Sequence, residues 1–321
     1  MIHARGLART FRTRKGRARE DVVAVAGVDL DVAEGEVVGF LGPNGAGKTT
    51  TLRMLVTLLA PTSGTATVAG HDVARDPVAV RRSIGYVSQS GSTSREAVAG
   101  EEVVDHGMLY GIPRQRAETR GRELFEQLDL PGAWTRKPGS LSGGQRRRLD
   151  IAMGLVHDPR LVFLDEPTTG LDPQARANLW THIRSLREQR GMTVFLTTHY
   201  LDEADALCDR ILVIDHGRIV AADSPDALKR QVAGDLVELD VLDPARVGDA
   251  VAVLGGVDGA AEVSADGARV STRLPNAGRV LPGLLRELDV RGVALDAVEV
   301  RRPTLDDVFL TMTGRSLREE S

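Results

Sequence analysis

The sequence predicts an α/β fold organised round a phosphate loop, with a smaller α+β domain behind it. Three features carry this. A glycine-rich loop at Gly42–Thr50 lies between an apolar strand and a helix. The apolar run Leu161–Leu164 ends in two adjacent acids, Asp165 and Glu166. Beyond about Arg230 the pattern reads strand, helix, strand, strand, helix, strand.

Glu36–Leu41 reads as a short buried strand that runs into Gly42, Pro43, Asn44, Gly45, Ala46, Gly47, Lys48, Thr49 and Thr50. The glycines free consecutive N–H groups to wrap phosphate oxygens, Lys48 adds a point charge there, and the Thr49 hydroxyl is placed to ligate Mg²⁺. Thr51–Leu59 continues as a helix whose N-terminal dipole faces the phosphates. An incidental glycine-rich turn would not need strand, loop and helix in this order.

Between Gln89 and Pro159 strand signals give way to helical periodicity, with Val103, Val104, Met108 and Leu109, then Leu124, Phe125 and Leu128. A helical subdomain inserted over about 90–158 is expected. Within it Leu141-Ser142-Gly143-Gly144-Gln145 precedes a helix, so a hydroxyl and bare backbone N–H groups offer a second place for an anionic oxygen. Arg146, Arg147 and Arg148 follow on that helix; a charge run of this kind is expected on a solvated face, the other reading being a phosphate sensor.

The strand Leu161–Leu164 then delivers Asp165, suited to holding Mg²⁺, and Glu166, suited to taking a proton from attacking water; Pro167 stops further pairing. A second strand, Thr193–Thr198, delivers His199. The helical run Leu201–Asp209 contains Cys208, expected in the core.

Composition narrows the function classes. With 42% hydrophobic and 27% charged residues, the 321-residue chain is of ordinary globular type and long enough for two domains. Its net charge of −4 argues against a nucleic-acid partner. Cys208 is the lone cysteine, which excludes an intrachain disulfide and fits a reducing cytoplasm. None of the seven histidines sits in a His-x-x-x-His or Cys/His ligand pair, so no transition-metal site is expected. No apolar run approaches a membrane span, and the Arg-rich N-terminus lacks the apolar stretch of a signal peptide.

Together, the loop at Gly42, the pentapeptide at Leu141 and the acids at Asp165 and Glu166 resemble the ATP-binding subunits of ABC transporters. The resemblance covers roughly 1–230 and implies a RecA-like ABC ATPase core that binds and hydrolyses ATP with Mg²⁺. It makes Phe11 the aromatic that stacks on the base, with strand-core packing as the other reading, and such stacking tolerates guanine as well as adenine. Gln89 becomes the glutamine that touches Mg²⁺ or the attacking water, and His199 the histidine that contacts the γ-phosphate. Asp172 falls in the loop that crosses the dimer interface, and its place before Pro173 also suits a helix cap.

In that family Ser142, Gly143, Gly144 and Gln145 would meet the phosphate held by a second copy of the chain. Intact motifs on both sides imply a homodimer with two equivalent sites. A separately encoded transmembrane permease is the implied second partner, which puts the chain peripherally on the cytoplasmic face of the membrane. The cluster Arg12, Arg14, Lys15, Arg17 and Arg19 is expected as a solvated loop, with contact to anionic lipid as the other reading.

The second domain, 231–321, is expected to be ferredoxin-like: strand Val237–Leu242, helix Arg246–Leu254, strands Ala261–Ser264 and Arg269–Leu274, helix Val280–Leu288, strand Ala294–Val300. Thr304 and Asp307 have capping-box spacing before a last apolar run. That tail, with Asp150 and Tyr200–Asp205, is similar to the daunorubicin-resistance branch, which implies export of a hydrophobic drug, antibiotic or lipid-like compound. The competing class is a non-transport ABC ATPase acting on ribosomes or DNA. Such proteins commonly carry tandem ATPase halves or a long coiled-coil insertion, and this chain has neither.

Overall fold

The computed structural model describes residues 1–15, 18–232 and 234–313. Two compact units divide the chain between Pro225 and Asp226. The first opens with the strands β1 (Ile2–Lys15), β2 (Ala18–Val32) and β3 (Val37–Leu41), helix α1 (Lys48–Leu55), strands β4 (Ser63–Val68) and β5 (His71–Asp72), helix α2 (Pro77–Ser83) and strand β6 (Ile84–Val87). Helices α3 (Ala99–Leu109), α4 (Arg114–Gln127) and α5 (Gly143–Leu155) form the inserted helical region. Then come β7 (Leu161–Asp165), α6 (Pro173–Arg190), β8 (Thr193–Thr198), α7 (Leu201–Leu207), β9 (Arg210–Asp215) and β10 (Arg218–Asp223), with α8 (Pro225–Arg230) at the division.

A six-stranded sheet of order β10-β9-β3-β8-β7-β6 forms the centre, parallel except for its edge strand β10. Strands β3, β7 and β8 are buried along their whole length, as parallel strands covered on both faces must be. Phe40 and Phe163 each lie 5.6 Å, centroid to centroid, from Phe195 between them, so one aromatic row locks three neighbouring strands. Because β3, β8, β7 and β6 are adjacent and parallel, their carboxyl ends share one edge, where such sheets present their ligand sites. The four segments leaving that edge are the Gly42 loop, His199, the acids and Gln89.

An antiparallel sheet of order β2-β1-β4-β5 contributes Ile2, Leu7 and Val28 to the same core as Phe40, Leu52 and Phe163. Here the expectation for the Arg-rich segment is corrected. It is the end of a long hairpin, paired from Ile2↔Val32 to Lys15↔Ala18, with Arg12 opposite Asp21 and Arg14 opposite Arg19. Backbone pairing joins N–H to C=O whatever the side chains, so a charged strand without apolar period looks like a loop. Arg17 lies outside the described residues.

Two helix ends also move. After Leu55 the chain turns back on itself: Thr57 adopts φ 63°, and the N–H groups of Leu58 and Leu59 close onto the Arg53 carbonyl. Helix α7 stops at Leu207, and Cys208 continues extended into β9. Cys208 is buried against β3: a Cβ on Gly39 would stand 2.6 Å from its Sγ.

The second unit holds β11 (Asp235–Val241), α9 (Val247–Gly255), β12 (Ala261–Asp266), β13 (Arg269–Leu274), α10 (Ala277–Val290), β14 (Leu295–Arg301) and α11 (Leu305–Thr313). Its sheet order β12-β13-β11-β14 is antiparallel throughout, the ferredoxin-like arrangement. Val237, Leu239 and Val241 of β11 meet Leu254 of α9 and Leu284 and Leu288 of α10 in one apolar core. Thr304 and Asp307 form the reciprocal cap: Thr304 N–H donates to Asp307 Oδ2 (2.8 Å) and Asp307 N–H to Thr304 Oγ1 (3.3 Å).

Candidate functional site

Gly42 leaves β3 so close to its neighbour that a Cβ would stand 2.3 Å from the Ile214 carbonyl oxygen. Gly45 and Gly47 take φ of +79° and +108°, which L side chains rarely adopt, and Gly47 caps α1. The loop then aims backbone N–H groups and the start of α1 into a cleft of about 220 Å³, lined by Ala24, Pro43, Asn44, Gly45, Gly47, Lys48, Thr49, Thr50, Gln89 and Glu166. Lys48 is buried, and its Nζ donates to the carbonyls of Gly42 (2.7 Å) and Pro43 (3.0 Å). Burial pulls its pKa down, and the carboxylates of Glu166 and Asp165 oppose that pull.

Asp165 ends β7 with its Oδ1 accepting from Thr197 Oγ1 (2.7 Å) and Thr49 Oγ1 (3.3 Å). This hydroxyl and carboxylate are hard oxygen donors of the kind Mg²⁺ takes, with phosphate and water oxygens completing its shell. Among the described residues no group of three or more His, Cys, Asp or Glu is placed to hold a metal unaided.

Glu166 is the focus of the cleft. Its backbone is held at φ 45°, left-handed, by two bonds from its N–H to Thr197, the carbonyl at 3.1 Å and Oγ1 at 3.0 Å. Its Oε2 accepts from Gln89 Nε2 (2.8 Å) and Thr169 Oγ1 (3.1 Å), His199 Nδ1 lies 3.4 Å away, and Lys48 Nζ stands 3.7 Å from Oε1. The His199 imidazole foremost, then Lys48 and Thr169, hold this carboxyl below the usual range, with burial opposing. A carboxylate so placed is ionised at neutral pH and available as a base.

Other expected residues stand outside this cleft lining. Ser142 caps α5 in a reciprocal box: Gln145 N–H donates to Ser142 Oγ (3.2 Å), and Ser142 N–H to Gln145 Oε1 (3.1 Å). Ser142 and Gly143 are exposed, and Gly144 packs toward Ala175 at the start of α6. Asp172 caps α6, accepting from Ala175 N–H at 2.8 Å. Phe11 lies on β1 opposite Val22, with the Arg9 guanidinium 4.8 Å from its ring centroid.

The arginine run departs from expectation. Arg147 is 7% exposed and donates to the carbonyls of Pro167, Ser88 and Asp165. Arg146 bonds the Pro138 and Leu141 carbonyls, and Arg148 pairs with Asp129. The signal lies in the residues after it: Leu149, Ile151, Ala152, Met153 and Leu155 are apolar, and every position from Leu149 to Leu155 is buried, so that stretch of α5 has no solvated face. Thr197 and the buried Glu203 were also missed, since neither type in isolation marks a site.

Comparison with known proteins followed the same division. Residues 25–169 match the family model described as ABC transporter, and residues 224–313 that of the ATP-binding protein DrrA1-3-like C-terminal domain. The daunorubicin resistance ATP-binding protein DrrA2 of Streptomyces coeruleorubidus is 44% identical over 96% of this chain and 94% of its own length. The doxorubicin resistance ATP-binding protein DrrA of Mycobacterium tuberculosis is 42% identical over 94% and 91%. The Nod factor export ATP-binding protein I of Rhizobium sp. is 37% identical over 93% and 95%. Among solved structures, a dimeric ATP-binding cassette in a post-hydrolysis state with ADP and Pi superimposes with a TM-score of 0.63 at 27% identity, covering 70% of this chain and 98% of that one.

Proposed function

The chain belongs to the ATP-binding proteins of the ABC transporter family, and from that premise we propose that it is a Mg²⁺-dependent ATPase that closes as a homodimer and powers a separately encoded membrane permease. Members of this family bind and hydrolyse ATP. The observation that carries the reading is the Glu166 carboxylate, buried among Lys48, Gln89, Thr169 and His199.

In this reading Lys48 exchanges the Gly42 and Pro43 carbonyls for β- and γ-phosphate oxygens, while the glycine N–H groups wrap them. Thr49, Asp165 and Gln89 would hold Mg²⁺, which when bound offsets the charge on the phosphates. Gln89 orients the water, Glu166 takes its proton, and His199 contacts the γ-phosphate. The exposed Ser142 hydroxyl and the N–H groups of Gly143 and Gly144 turn to the nucleotide of a second copy, completing a cage that exists only after closure. Gln145 keeps Ser142 in its cap, Asp172 lies at the dimer contact, and Phe11 stacks on the base.

Drug or lipid-like export is supported by the names of the relatives, and a peripheral place on the cytoplasmic face goes with work on a membrane permease; among the described residues no helix is long and apolar enough to cross a membrane. ATP turnover by the purified chain tests the chemistry. Glu166→Gln should bind MgATP yet lose about 10²–10⁴ in turnover, and near-normal turnover removes Glu166 as the base. Transport is tested by affinity purification from membranes: a polytopic partner should accompany the chain, and its absence contradicts the permease.

A further inference from the structure

Helix α5 carries Arg147 and Asp150 one turn apart, 7% and 4% exposed. The guanidinium of Arg147 spans two segments: Nη1 donates to the Ser88 carbonyl (2.5 Å), Nε to that of Pro167 (2.8 Å), and Nη2 to that of Asp165 (3.0 Å), with the Glu166 carbonyl at 3.4 Å. Asp150 Oδ1 accepts from the N–H groups of Ser92 (2.9 Å) and Thr93 (3.3 Å). Gly91, at φ +75°, lets the chain pass, since a Cβ there would stand 2.7 Å from Asp150 Oδ2. The segment bearing Gln89 is thus gripped at both ends, and the backbone on either side of Glu166 is held by the same guanidinium. A buried guanidinium must satisfy its donors, and its rigid planar fork fixes the carbonyls it binds relative to one another.

We propose that Arg147 and Asp150 are positioning residues of the ATPase: they lock Gln89 and Glu166 to the helix that Ser142 caps. The catalytic base and the surface offered to a second copy then move as one body. Gln89 Nε2 reaches Glu166 Oε2 at 2.8 Å only while both segments keep this register. Neither Arg147 nor Asp150 lines the phosphate cleft, so their loss acts on turnover and leaves nucleotide binding in place.

This rests on the roles proposed above for Glu166 and Gln89. The test measures MgATP affinity and steady-state hydrolysis of the full chain as wild type, Glu166→Gln, Arg147→Gln, Asp150→Asn and Asp150→Ala. Displacement of a positioned group by about 1 Å costs up to about a hundredfold, so Arg147→Gln should lower kcat about tenfold or more, with the Kd for MgATP within about threefold. Asp150→Asn keeps an oxygen acceptor for Ser92 and Thr93 and should hold kcat within about twofold of wild type, while Asp150→Ala should fall with Arg147→Gln. Wild-type kcat in Arg147→Gln, or a loss of affinity that accounts for its loss of turnover, overturns the proposal. So does equal kcat in the two Asp150 variants, a comparison that decides the matter even if Arg147→Gln does not fold. An inactive wild type, or an active Glu166→Gln, instead defeats the underlying site reading and this inference with it.

Discussion

Gly42→Ala probes how closely the phosphate loop is built against its neighbours. The new Cβ would stand 2.3 Å from the Ile214 carbonyl oxygen and 3.0 Å from Ile214 Cγ2. Restoring ordinary contact requires the loop or β9 to retreat by about 1 Å. The Gly42 carbonyl also anchors Lys48 Nζ at 2.7 Å, so the retreat displaces the lysine. Overpacking of this kind costs about 1–3 kcal/mol, which for a unit of this size lowers Tm by about 2–12 °C. A lysine misplaced by about 1 Å should in addition cost up to about a hundredfold in turnover. Differential scanning fluorimetry and steady-state hydrolysis read the two effects separately. Gly143→Ala is the thermal control, since its Cβ would meet nothing nearer than Leu171 Cδ2 at 3.8 Å and Tm should stay near wild type. Wild-type Tm and turnover in Gly42→Ala would refute the argument.

Two pH experiments follow from buried acids. The His199 imidazole is the main cause of Glu166's depressed pKa, so the base is present above that value and lost as pH falls through it. His199→Ala should move the acid limb of residual kcat to higher pH, and an unmoved limb contradicts the pairing. Glu203 is shifted the other way: burial raises its pKa, against the nearby hydroxyls of Thr198 and Thr168 and the Trp180 indole, whose Nε1 donates to Glu203 Oε1 at 3.3 Å. Its stability contribution is therefore full below the ordinary glutamate range and lost as pH rises through the raised value. Glu203→Gln removes that titration, so its Tm should gain on wild type as pH rises; parallel Tm–pH curves would show that Glu203 does not titrate with folding.

The ATP cleft was legible because its chemistry is written in contiguous segments that leave adjacent parallel strands. Gly42–Thr50 follows β3, Asp165 ends β7 with Glu166 next to it, and His199 follows β8, and these three strands lie side by side in the sheet. The ferredoxin-like unit was legible from its alternating apolar strands, with Val237, Leu239 and Val241 on one face of β11. Arg147 was misread because its partners lie 18 to 59 residues away, beyond what a window along the chain can weigh. The hairpin from β1 to β2 hid for a related reason, since its polar end is held by backbone pairing, and pairing of this kind has no composition. Glu203 gave no signal because a buried acid and a surface acid are the same letter.

In the proposed dimer, Ser142 of one chain completes the site of another. Static light scattering on Glu166→Gln, with and without MgATP, tests it directly when repeated in the Ser142→Arg background. MgATP should double the mass of Glu166→Gln from the 34.5 kDa monomer, and the added Ser142→Arg should leave MgATP binding intact while the mass stays monomeric. An ATP-dependent dimer that persists with arginine at position 142 would contradict it.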